Sequence, residues 1–214
     1  IGETTAIGGS RADQWASNHN SKLDLLDAAL RDNPTVDIVY LIIGGNDFLG
    51  FCIKNNLAET PRQTLEALYE TICHDICLLV NHILAIRPNI RVLLVDYDFV
   101  NPALMKKAYN LEFSDVSAQF MNKALVELAR RRKALTEDID RLEYIHNFGL
   151  LQHIYGHMPQ WEPGGVPHPG KTPGHVPFPG GDIRFTSPEP AMPDGVHPMP
   201  EGYVHIFRNA FDQF

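Results

Sequence analysis

Apolar residues run almost unbroken through Val36-Asp37-Ile38-Val39-Tyr40-Leu41-Ile42-Ile43, and most of them are β-branched. A strand covered on both faces in a parallel sheet has this pattern, so the run predicts a central strand. Upstream, Thr4 to Ile7 predicts a short strand. Gly8-Gly9 then turns the chain through Ser10 into a helix carrying Trp15, Leu23, Leu25, Leu26 and Leu30, which Asn33-Pro34 ends. Downstream, Thr60-Pro61 supplies an N-cap and a proline at the first helical position. The apolar positions Leu65, Leu68, Ile72, Ile76, Leu79, Ile83 and Ile86 then recur with helical spacing as far as Arg87-Pro88. Arg91 to Asp98 predicts the next strand, the stretch from Ser114 to Lys133 another helix, and Leu142 to Ile145 a last short strand. Strands alternating with helices make βαβ units and a parallel sheet.

Periodicity is lost from Gly156 to Pro200, where Pro, Gly and His dominate and Val166-Pro167-His168-Pro169-Gly170 is echoed by Val176-Pro177-Phe178-Pro179-Gly180. A loop of this length inside a compact domain is a lid, a binding loop or a subunit arm, or else an ordered excursion of polyproline-like turns. Pro200 then opens a C-terminal amphipathic helix.

A chain of 214 residues, 44% hydrophobic and 21% charged, suffices for one α/β domain with a sizeable core. Its net charge of −8 offers no electrostatic footprint for phosphates, so nucleic acid is set aside as a partner. The only basic run, Arg130-Arg131-Arg132-Lys133, is expected at a helix end, where cations suit the dipole. A membrane-spanning helix needs about 20 apolar residues, far more than the Val36–Ile43 run, which predicts a soluble chain. Ile1 is preceded by neither Met nor a basic leader, which leaves a processed or truncated start and the compartment open. Of the three cysteines, Cys73 and Cys77 lie one helical turn apart among apolar residues and Cys52 stands alone, so buried thiols are expected, not a disulfide framework.

The chemistry concentrates in two places. Asp194-Gly195-Val196-His197 can bring a carboxylate to an imidazole within one turn, the orienter and base of a nucleophilic hydrolase, although a loop Asp before a helix also often caps a turn. Gly44-Gly45-Asn46-Asp47 follows the strongest strand at its carboxyl end, where parallel sheets place their ligand sites. There the Asn46 amide can donate to a developing oxyanion, or Asn46 or Asp47 can simply cap a following turn. His153 and His157, with His168 and His175 beyond, lack the Glu of a His-Glu-x-x-His zinc site, and no metal is expected. His74, His82 and His205 fall on helices as packing or surface residues.

Taken together, Ala6-Ile7-Gly8-Gly9-Ser10-Arg11-Ala12-Asp13-Gln14-Trp15, Ile42-Ile43-Gly44-Gly45-Asn46-Asp47 and Asp194-Gly195-Val196-His197-Pro198 with Glu201-Gly202-Tyr203 resemble the SGNH (GDSL-type) hydrolase family in motif order. The resemblance spans nearly the whole chain. It implies a flavodoxin-like three-layer α/β/α fold with a parallel sheet, a single domain over 1–214, and the 156–193 loop as an insertion before the C-terminal helix. It also implies that Gly9 gives a backbone N–H and Asn46 a side-chain donor to the oxyanion hole, with His197 as base, Asp194 as its orienter and no cofactor.

In one respect the chain departs from the family. The family's Gly-Asp-Ser block should lie a few tens of residues before the Gly block, yet only eight residues precede Gly9. In one reading the nucleophile and the first strand lie upstream of residue 1. That strand is internal in the family's sheet, so without it two rows of backbone groups are unpaired and these residues alone should fold poorly. In the other, Ser10 is the nucleophile, sitting where a glycine turn enters a helix. Only one helix and one strand separate Ser10 from Asn46, where the family has two strands. The expected activity is hydrolysis of carboxylic esters, small molecules with short acyl chains since no long apolar tunnel is evident. An acyltransferase on the same scaffold and a non-catalytic binding module are the alternatives. The Pro/Gly loop, with Trp161 and Phe178, is a candidate lid or a contact in a homo-oligomer.

Overall fold

The computed structural model describes residues 5–111, 117–156, 161–168 and 177–214. In chain order its elements are α1 (Ala12–Ala16), a short 3₁₀ turn (His19–Ser21), α2 (Lys22–Asp32), β1 (Ile38–Leu41), α3 (Gly45–Lys54), α4 (Arg62–Ile86), β2 (Arg91–Val95), α5 (Pro102–Tyr109), α6 (Ala118–Asp138), β3 (Leu142–Ile145), α7 (Leu150–Tyr155) and α8 (Pro200–Gln213). The three strands form one sheet in the order β1-β2-β3. Ile38 pairs with Arg91 and Leu41 with Leu94, so β1 and β2 are parallel. The Val92 N–H donates to the Arg141 carbonyl and the Asp96 N–H to the Ile145 carbonyl, a register that advances in one direction and makes β3 parallel as well. The fold is therefore α/β with a parallel sheet, as the alternation of elements predicts.

The chain divides into two compact units, the first holding residues up to Phe51 with Pro61–Leu94 and Arg131–Tyr144. Its center is β2, whose residues Val92, Leu93 and Leu94 are fully buried. Helix α4 lays Ile72, Ile76, Leu79, Val80 and Ile83 into the core and packs against α1 and α2. Where α4 ends, Arg87 turns back and donates to the carbonyls of Leu30, Asn33 and Val36, capping the C-terminus of α2 and fixing the approach to β1.

Several expectations are corrected here. Among the described residues the Val36–Ile43 run is not a central strand: β1 lies at the edge of the sheet, half-buried along its length, with no strand on its other side. A continuous apolar run reports how much surface a strand will cover, not how many neighbors it has. The described part of Thr4–Ile7 forms no strand; Ile7 closes a turn onto the Thr5 carbonyl and is exposed. Pro61, not Thr60, caps α4, and the Thr60 hydroxyl donates to the Asn56 carbonyl instead. The basic run does not end its helix, since α6 continues to Asp138. Arg131 pairs there with Glu66 and lies 5.7 Å from the center of the Tyr69 ring, while Arg132 is fully buried.

The second unit holds Cys52–Thr60, Val95–Arg130 and Ile145–Phe214. Its organizing group is the Asp98 carboxyl, which accepts from the backbone N–H groups of Phe99, Gly149 and Leu151 at 2.7, 2.7 and 2.8 Å. These contacts hold the start of α7 against the Asp98–Phe99 segment. The Gln152 side chain donates to the carbonyls of Asp182, Phe185 and Thr186 and accepts from the Asp182 N–H, tying down the Pro/Gly-rich segment. That segment forms no helix among the described residues, and its aromatics pack within the unit: Trp161 on Phe185, and Phe178 against His146 and Phe148. Helix α8 buries Ile206, Asn209, Ala210 and Gln213; Asn209 and Gln213 donate to the His146 carbonyl. Its other face exposes Tyr203, Val204, Phe207 and Phe211. No helix among the described residues is long and apolar enough to cross a membrane.

Candidate active site

In the first unit, Gly44-Gly45-Asn46-Asp47 is the entry to α3, so the Asn46 amide stands in a first helical turn beyond the carboxyl end of β1. Gly44 has φ +94°, and a Cβ there would lie 3.0 Å from Ile72 Cγ2 and 3.3 Å from Ile76 Cδ1. Only glycine allows that turn against α4. The Asn46 amide donates to the Ser10 carbonyl at 3.0 Å, and both carboxylate oxygens of Asp47 accept the Ala12 N–H, at 2.9 and 3.1 Å. Burial pushes the Asp47 carboxyl up, against the Ala12 and Asp13 N–H donors that favour its charged form. Asn46 and Asp47 thus clamp the Gly8-Gly9 turn to the head of α3. Nothing lies within 4 Å of where a Gly9 Cβ would be, so this backbone faces open space. Ser10 is buried, and its hydroxyl has no hydrogen-bond partner among the described residues.

In the second unit, Asp194-Gly195-Val196-His197 folds into one tight turn. Asp194 Oδ1 accepts the N–H groups of Val196 and His197 at 2.9 and 2.7 Å. Its Oδ2 lies 2.7 Å from His197 Nδ1 and accepts the Tyr109 hydroxyl at 2.5 Å. Gly195 has φ +83°, and a Cβ there would meet the Asn101 carbonyl oxygen and the Met105 nitrogen. Partial burial pushes the Asp194 carboxyl up, but Tyr109, the two N–H groups and the His197 ring outweigh it and hold it well below the usual carboxylate range. A carboxylate charged throughout the working range and bonded to Nδ1 leaves Nε2 as the imidazole's basic nitrogen. The His197 side chain is 64% exposed.

Each expected residue thus falls into one of two groups, Gly9, Ser10 and Asn46 in the first unit and Asp194 with His197 in the second. Tyr109 and Asp47 were not anticipated. Tyr109 is 85 positions from Asp194, and no short motif links them. The sequence offers Asp47 only as a turn cap, whereas it reaches across 35 positions to α1. Several other histidines have partners outside this site: His82 meets Asp27 at 2.7 Å, His205 faces Tyr155, and the His153 ring contacts that of His168 and the Val166 carbonyl. His157 and His175 lie outside the described residues. Cys52 and Cys73 are buried and Cys77 half-buried, all as free thiols, and burial pushes Cys52 up to about 12.

A parallel sheet with helices between its strands places the chain among the α/β proteins, and an imidazole oriented by a carboxylate is equipment that hydrolases use. A family model of GDSL-like lipase/acylhydrolases matches residues 2–210, and the chain belongs to that family. It is accordingly a hydrolase of the acyl-ester class. No curated protein matches it.

Proposed function

We propose that the protein hydrolyses carboxylic esters of short acyl chains through an acyl-enzyme. The observation that carries this reading is the 2.7 Å contact between Asp194 Oδ2 and His197 Nδ1, made by a largely exposed His197 side chain. A serine hydroxyl attacks the ester carbonyl as His197 Nε2 takes its proton, and the imidazolium formed is stabilised by Asp194. The Gly9 N–H and the Asn46 amide receive the oxyanion. Collapse releases the alcohol, which regains the proton from His197, and a water activated in the same way frees the acid and the serine.

The attacking serine is read as lying upstream of residue 1, on a strand that pairs along the free side of β1. Two observations support this: β1 is an edge with no strand on its outer side among the described residues, and the Ser10 hydroxyl is buried. The reading treats residues 1–214 as one hydrolase domain. Fluorophosphonate labelling of the full-length protein, followed by peptide mapping, tests it together with His197→Ala assayed on p-nitrophenyl acetate. The expected result is a label on an upstream serine and loss of turnover in a folded variant. A label on Ser10 would move the nucleophile; no label, with no turnover in the parent, would favour a binding module; full turnover in the variant would remove His197.

A further inference from the structure

The Asp194–His197 pair has a third member. Tyr109 ends α5, and its hydroxyl oxygen lies 2.5 Å from Asp194 Oδ2 and 2.9 Å from His197 Nδ1. Those two atoms are 2.7 Å from each other, so three polar groups close a triangle.

The contact is built into the fold. At the other end of α5, Asn101 caps the helix by accepting the Leu104 N–H at 3.2 Å, and its own N–H donates to the Gly195 carbonyl at 2.9 Å. Helix α5 is thus fastened at its start to the turn that carries Asp194 and His197, and returns to that turn about 12 Å further on through Tyr109. The Asn110 residue that follows stops the helix in a left-handed conformation, its N–H bonded to the Lys106 carbonyl.

The protons of the triangle can be counted. Asp194 is ionised and can only accept, and partial burial together with the Asp194 contact pushes the Tyr109 hydroxyl up to about 12, so it keeps its hydrogen. That hydrogen goes to Asp194 Oδ2. The phenolic oxygen then turns a lone pair to His197 Nδ1, and Nδ1 faces two acceptors and no donor. The arrangement is satisfied only when Nδ1 carries hydrogen, shared between Asp194 Oδ2 and Tyr109 Oη. In the neutral ring Nε2 is then the unprotonated nitrogen, as a general base requires.

We infer that Tyr109 is a positioning residue for the Asp194–His197 pair, fixing the imidazole in its Nδ1–H tautomer through hydrogen bonds to both partners. The inference rests on the reading of His197 as the base. Tyr109 touches no reacting atom; it acts by holding the other two.

The test is a double-mutant cycle on p-nitrophenyl acetate turnover in the full-length protein, with Tyr109→Phe, Asp194→Asn and the pair. Tyr109→Phe alone should lower kcat about tenfold, the loss of one charge-assisted hydrogen bond, with KM nearly unchanged. In the Asp194→Asn background the same substitution should have little further effect, because the carboxylate that takes the Tyr109 hydrogen, and so turns its lone pair to His197, is gone. Equal losses in both backgrounds, or no loss in either, would overturn the inference. Nitrogen NMR of His197 in the unsubstituted protein supplies a readout that needs no variant: neutral imidazole with hydrogen on Nδ1 agrees with it, and hydrogen on Nε2 overturns it. His197→Ala separates the two levels. Full activity there defeats the parent reading, whereas a dead His197→Ala beside an unaffected Tyr109→Phe defeats this inference alone.

Discussion

The side-chain amide of Asn46 and the backbone carbonyl of Ser10 meet at 3.0 Å across 36 positions of sequence. One amide hydrogen ties the end of the Gly8-Gly9 turn to the head of α3, and the proposed mechanism uses the other for the oxyanion. Asn46→Ala removes both. Turnover of p-nitrophenyl acetate should fall by ~10²–10³ with KM nearly unchanged, the range for loss of one oxyanion donor. Steady-state kinetics decide it, and a loss of less than about threefold would take Asn46 out of the chemistry.

Ser10 offers the opposite test. Its hydroxyl is buried with no hydrogen-bond partner among the described residues, a state that costs stability and gives a substrate no access. Ser10→Ala should retain turnover and raise the midpoint of urea unfolding, by about 0.5–1 kcal/mol in stability. Abolished turnover in a folded Ser10→Ala protein would instead identify it as the nucleophile.

Gly44 sets the angle at which β1 passes into α3. With φ +94° and a Cβ position 3.0 Å from Ile72 Cγ2, Gly44→Ala meets both backbone strain and a packed neighbor. The expected loss is about 1–3 kcal/mol by urea unfolding, with turnover reduced because Asn46 follows two residues later. Unchanged stability would show that this turn relaxes without cost.

What the sequence made legible is what short-range chemistry encodes. Asp194 and His197 sit within one turn, so their meeting could be read from spacing, and the position of Asn46 at the head of a helix is marked by the β-branched strand before it. The three short helices α3, α5 and α7 were not foreseen. α3 opens on two glycines' worth of turn signal, Gly44 and Gly45, which reads as loop, and α7 has only six residues. For α5 the signal existed in Asn101-Pro102, an N-cap followed by proline at the first position, but its importance lies in Tyr109, and no local pattern reports a partner 85 residues away. The basic run was misplaced for a related reason: Arg131 answers Glu66, a tertiary contact that helix-end statistics do not contain.

Asp98 gives the chain a pH dependence of its own. Full burial pushes its carboxyl up to about 7, although three backbone N–H groups favour the charged form. A carboxyl raised on folding binds its proton more tightly in the native state. Its contribution to stability is therefore complete below the unfolded value near 4, and is lost as pH rises through about 7. The size of that loss is on the order of 4 kcal/mol. In Asp98→Asn the amide nitrogen would replace Oδ2, the acceptor for the Leu151 N–H, leaving two donors opposed. The variant should be less stable than the parent at pH 5 by about 1–3 kcal/mol, and the gap should narrow toward pH 8 as the parent loses its titrating group. Urea unfolding of both proteins from pH 5 to 8 measures that difference. A gap that stayed constant would mean that Asp98 does not titrate in this range, and the ordering of α7 would then rest on a permanently charged carboxylate.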